Sequence, residues 1–67
     1  MCMMTVACDE TLGGGAVMEN VIELTEDDRG VHLVGLLDEP VTIADARVAH
    51  IDFRRGRTLL TTRKIEP

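Results

Sequence analysis

Turn-forming residues interrupt this chain about every eight to ten residues, and the stretches between them are short and rich in β-branched and aliphatic side chains. That punctuation leaves room for strands and little for helices. Met3 to Cys8 reads as a first strand, with Met4, Val6 and Cys8 on one face and Met3, Thr5 and Ala7 on the other. Gly13-Gly14-Gly15 supplies a flexible hairpin connection; it lacks the Lys-Ser/Thr ending of a phosphate-binding loop. Val17 to Thr25 is expected as the second strand, with Ile22 and Leu24 inward and Glu23 in water. Asp27-Asp28-Arg29-Gly30 makes a polar turn, Val31 to Leu36 a third strand, and Pro40 fixes a corner and argues against helix. Val41 to Ile43 is a short fourth strand, followed by one helical turn or a bend at Ala44-Asp45-Ala46. Arg47 to Phe53 alternates Ala49, Ile51 and Phe53 with Val48, His50 and Asp52. After the Arg55-Gly56 turn, Thr58 to Thr62 closes the sheet. The pattern predicts an all-β domain over 1–67: a small, partly open, six-stranded antiparallel barrel of the SH3-like kind, with 63–67 as a loose tail. An OB-like arrangement fits the same pattern.

A chain of 67 residues sits near the lower limit at which enough apolar surface is buried for independent folding, a limit that dimerisation relieves. Phe53 is the sole aromatic residue, so the core must be thin and aliphatic, with Phe53 expected inside. No apolar run approaches the length of a membrane span and no secretory leader is visible, so the expected location is the cytoplasm. There both cysteines are expected as free thiols, because Cys2 and Cys8 on one face of an extended strand are too far apart to bridge. Charge is uneven. Residues 1–46 carry ten acids against Arg29, a net of −9, whereas residues 47–67 carry six bases against Asp52 and Glu66, a net of +4. Such runs are commonly solvated faces; the functional alternative is a basic edge that meets an acidic partner or a phosphate backbone.

The opening Met1-Cys2-Met3-Met4 is where chemistry concentrates. The Met1 amine, the Cys2 backbone nitrogen and the Cys2 thiolate lie along one short piece of backbone, so an ion held by all three closes two small chelate rings. Thiolate with nitrogen in a planar array suits Ni(II) or Cu(II), whereas tetrahedral zinc prefers thiolates and imidazoles at wider spacing. One chain offers one thiolate here, so a complete site needs Cys8, a histidine, or the Cys2 of a second copy. The last option predicts a homodimer. If Met1 is removed, Cys2 alone offers amine and thiolate, and two copies complete a square of two nitrogens and two sulfurs. Met1, Met3 and Met4 add thioether sulfur that either shelters a soft ion or packs an interface.

Elsewhere the inventory is thin. His32 and His50 are both expected at outward strand positions, where a histidine is most often a solvated surface residue. His50 shares a face with Asp52, a carboxylate able to orient its ring, and His50 and Cys8 stand as auxiliary metal candidates behind Cys2. Nothing fixes a catalytic set, and so small a domain has no deep water-excluding pocket, so no enzyme is expected. Arg54, Arg55 and Arg57 form a candidate phosphate-binding edge. The acidic total and the lack of aromatic stacking platforms weigh against RNA as its partner.

Several segments together resemble the CooT family: Met1-Cys2-Met3, the turn Asp28-Arg29-Gly30 before Val31, the stretch Gly35-Leu36-Leu37-Asp38-Glu39-Pro40, and Ile51-Asp52-Phe53-Arg54-Arg55-Gly56. The likeness spans nearly the whole chain. It implies a dimeric, nickel-binding SH3-like barrel, in some members linked to nickel delivery for carbon monoxide dehydrogenase maturation, in a family also often labelled predicted RNA-binding proteins. By position, the family's nickel residue corresponds to Cys2. The resulting expectation is a metallochaperone or accessory protein that holds Ni(II) at a homodimer and serves a nickel enzyme. The competing expectation is a small RNA-binding or protein-interaction barrel that uses the arginine-rich face.

Overall fold

A computed structural model describes residues 3–64 of the chain. It contains strands β1 (Met4–Cys8), β2 (Gly15–Asp27), β3 (Gly30–Gly35), β4 (Val41–Ala44), β5 (Ala46–Asp52) and β6 (Arg57–Thr62), with a single 3-10 turn at Glu10–Leu12. Asp9 starts that turn by accepting the Thr11 N–H at 3.0 Å, and Gly13 ends it at φ 100°. The strands form one sheet in the order β4-β3-β2-β1-β6-β5. The expected all-β, six-stranded, partly open barrel is therefore found.

Strand β2 is longer than its sequence pattern predicts because it serves both halves of the barrel. Its first part pairs with β1 and its second with β3, with Val21 the residue common to both ladders. The chain then curls. β4 and β5 are the outer strands of the sheet yet neighbours in sequence, and they meet at Asp45, which takes φ 57°. The segment read as a helical turn or a bend is a bend. Aspartate is among the few residues other than glycine that tolerate this left-handed conformation. Asp45 turns the chain without a hairpin, so β6 returns parallel to β1, in the register Thr5–Arg57 to Cys8–Leu60, while every other ladder is antiparallel.

The core is aliphatic, as the composition requires. Val6, Val31, Leu33 and Leu60 are its large fully buried side chains, with Ala46, Cys8, Met18 and Val21 around them. Each such aliphatic burial stabilises the fold by about 1.5–3 kcal/mol, and few are available in so short a chain. Gly30, at φ 144°, lies where β4 crosses closest; a Cβ there would overlap the Ile43 carbonyl oxygen.

Three expectations are corrected. Ile22 is 55% exposed, because a register shift between Val21 and Glu23 breaks the two-residue alternation and sends Val21 into the core instead. Phe53 is 75% exposed, since β5 ends at Asp52 and Phe53 opens the turn to Gly56. Arg63 is no loose tail: its N–H donates to Asp45 O at 2.7 Å, and its guanidinium donates to Asp27 O and lies 3.9 Å from Glu26. Residues 65–67 of the expected tail lie outside the described residues.

Candidate functional site

Met1 and Cys2, on which the metal reading rests, lie outside the described residues, but the structure shows where the chain leading from them runs. Met3 is half exposed and its carbonyl lies against Gly56; a Cβ at Gly56 would stand 2.9 Å from that oxygen. The next link is firm, with Thr5 N–H donating to Gly56 O at 2.8 Å. The segment is thus held beside the Phe53–Gly56 turn, where the backbone of Gly56, at φ 65°, is free of the side chain that would push it away.

Next to this turn the barrel is open. Met4, Ile22, Leu24, Ile51 and Phe53 line a mouth of about 250 Å³ over Val21 and Thr58, with Glu23 at its rim. Ile51 is 41% exposed even though its ladder partner Thr58 is buried. Sequence reasoning missed this surface. No local signal marks it, because the register shift that turns Ile22 outward is set by the pairing of β2 with β3.

Cys8 and His50 are on opposite sides of the sheet. Cys8 sits in the core at the far end of β1, and a rise of about 3.3 Å per residue puts it roughly 16 Å along the strand from Met3. Burial, and then the Asp9 carboxylate, push its thiol above the ordinary 9.0, so it stays protonated at neutral pH and is a poor ligand in that state. His50 is exposed and shares an outward groove of about 290 Å³ with Ala7, Asp52, Arg55, Arg57 and Leu59. Asp52 is engaged by Arg55, whose N–H donates to it at 3.0 Å and whose Nε lies 3.9 Å away. Arg54 occupies the same exposed turn. Among the described residues, no three His, Cys, Asp or Glu side chains gather as a metal-binding group.

His32 has a structural post. Its Nε2 lies 2.8 Å from Asp27 Oδ2 and its Nδ1 2.9 Å from Thr42 Oγ1, which ties the end of β2 to β3 and β4. The backbone N–H of Arg29, ahead of the His32 ring, holds the Asp27 carboxyl below the ordinary 3.8. No helix among the described residues is long and apolar enough to cross a membrane.

A family model described as "CO dehydrogenase accessory protein CooT" matches residues 1–61, a span that takes in Cys2, the mouth and the arginine turn. The chain belongs to the CooT family. This CooT chain also shares its fold with the crystal structure of a putative CooT from Carboxydothermus hydrogenoformans, at a TM-score of 0.77 and 18% identity, over 91% of this chain and 97% of that one. No curated protein matches it. The CooT match makes this chain a member of a family of accessory proteins to CO dehydrogenase.

Proposed function

We propose that this CooT chain is a nickel-binding accessory protein that holds Ni(II) through the Cys2 thiolate and the nitrogens of residues 1 and 2, and carries it toward a nickel enzyme such as CO dehydrogenase. The match to the CO dehydrogenase accessory family over residues 1–61 carries this reading. Donor chemistry supports it, since a thiolate, an amide nitrogen and a terminal amine on adjacent residues make a planar set that Ni(II) accepts. In this reading Cys8, buried at the other end of β1, and His50, across the sheet from it, are bystanders. A second Cys2 from another copy is the simplest source of the remaining donors. The role is accessory rather than catalytic.

Nickel titration, followed by the thiolate-to-nickel charge-transfer absorption, tests it. The wild-type chain develops this band to a stoichiometric end point, and uptake weakens as pH falls because protons compete for the thiolate. Cys2→Ala keeps its fold and shows no band; a titration equal to the wild type refutes the site. Cys8→Ala and His50→Ala titrate as the wild type does.

One observation favours a second reading. Phe53 is exposed beside Arg54 and Arg55, so the turn offers one stacking face among cations. RNA binding at low salt that disappears on joint replacement of Arg54 and Arg55 selects that reading.

A further inference from the structure

We propose that the outward groove across β1, β6 and β5 is a binding site for a small organic oxyanion, a carboxylate or a phosphate ester, held between the Arg57 guanidinium and the His50 imidazole. Neither Cys2 nor a metal ion enters this site.

The groove is built by register. Ala7, Leu59 and His50 stand in one row across β1, β6 and β5, and Thr5, Arg57 and Asp52 stand in the next. The rows are two residues apart on each strand, roughly 7 Å, so Arg57 and His50 are diagonal neighbours whose long side chains reach one space. Ala7 and Leu59, the latter 37% exposed, give that space an apolar lining, and Arg55 on the following turn also borders it. Its volume of about 290 Å³ falls at the small end of the roughly 300–1,000 Å³ typical of small-molecule sites, which suits a ligand of a few carbons and not a folded partner.

Pairing decides which charges are available there. Asp52 stands directly opposite Arg57 in the ladder of β5 with β6, where opposite charges ordinarily join. Asp52 is instead drawn to its own turn: it accepts the Arg55 N–H at 3.0 Å and lies 3.9 Å from Arg55 Nε. Among the described residues the acid–base pairs join His32 with Asp27, Arg55 with Asp52 and Arg63 with Glu26, so Arg57 and His50 are both left without an acid. A guanidinium offers two parallel donors to one oxyanion and an imidazole N–H offers a third, while the lining of Ala7 and Leu59 accepts the carbon part of a ligand. The chain's net charge of −5 and the Asp52 carboxylate at the groove favour a compact anion over a long polyanion.

The test is a titration of the isotope-labelled full chain in chelator at fixed ionic strength, with sodium phosphate in one series and sodium succinate in another, read by amide chemical shifts. At least one of the two is expected to shift His50, Arg57 and Leu59 to a saturating end point. Arg57→Gln and His50→Ala, both at exposed positions, each weaken that binding ~10-fold while the rest of the spectrum keeps the parent's pattern. Lys64→Gln, which removes one charge at the far end of β6, leaves it unchanged, and so does Cys2→Ala. Saturation by phosphate alone assigns a phosphate ester and by succinate alone a carboxylate; saturation by both supports the shared oxyanion chemistry. Shifts that climb without saturating in both series overturn the proposal, as does an Arg57→Gln chain that saturates like the parent. A single-stranded RNA oligomer that fills the groove at far lower concentration than either small anion overturns it in favour of nucleic acid.

Discussion

Strand β5 runs between two unlike regions. At Ala46 it leaves a corner that is sealed by polar links: Asp45 N–H to Arg29 O at 3.1 Å, Arg63 N–H to Asp45 O, Val48 N–H to Glu26 Oε1 at 2.8 Å, and the His32 ring between Asp27 and Thr42. At Asp52 it reaches the mouth, where Ile51, Ile22 and Phe53 stand in solvent. The corner spends its side chains on holding the barrel shut, and the mouth leaves apolar surface unsatisfied. The difference teaches that stability is unevenly divided along the barrel: the corner keeps the shape, and the side chains exposed at the mouth add little to it.

Mutations should separate the two. The largest losses are expected in the core under the corner: Leu33→Ala should cost about 2–5 kcal/mol, and Gly30→Ala, which forces a Cβ against Ile43 at a left-handed φ, about 3 kcal/mol. Urea unfolding reads both, and a loss below about 1 kcal/mol at Gly30 would show that β4 is free to move away. His32→Ala should cost about 1 kcal/mol through two lost hydrogen bonds. Acid should act on the Asp27 link of the corner and on the Asp9 cap of the 3-10 turn. Asp27 is held low by the Arg29 N–H, and Asp9 by the Thr11 hydroxyl and then Thr61. Both carboxyls bind protons less readily in the folded chain than in the unfolded one, so their contribution is complete above the ordinary 3.8 and is lost as pH falls below it. Asp27→Asn should flatten that fall in denaturant titrations run from neutral pH down to acid; an unchanged slope would remove Asp27 from the account. The smallest effect belongs to the mouth. Phe53→Ala should change the unfolding free energy of the isolated monomer by less than about 0.5 kcal/mol, since the ring has little packing to lose. A larger loss at concentrations where the chain is monomeric would show that Phe53 supports the barrel and erase the contrast.

Much of the barrel was legible, for reasons particular residues make plain. Asp28-Arg29-Gly30 and Arg55-Gly56 advertise turns because their backbones need conformations that strand-forming residues avoid, and the small count of aromatics foretold a core of Val and Leu. What stayed hidden depends on distant partners. The register shift beside Ile22 is decided by how β3 lies against β2, and the parallel pairing of β6 with β1 follows from the bend at Asp45, which a local pattern leaves open between helix and kink. Phe53 misled because hydrophobicity describes a side chain's preference and not whether the chain has a place for it. The metal site was read from Cys2 chemistry and family resemblance, and it is the thiol at Cys8, not the one at Cys2, that the structure describes. Its burial leads to one more expected outcome: in the folded chain an alkylating reagent spares Cys8, and denaturant exposes it.

The side-by-side course of β1 and β6 has a practical corollary. Because both strands head the same way, Met3 enters the barrel beside the mouth while Lys64 leaves it past the corner, some six strand residues or roughly 20 Å downstream. A spectroscopic label on Lys64 therefore reports from the end of the barrel remote from the mouth, whereas one on Met3 reports from beside it.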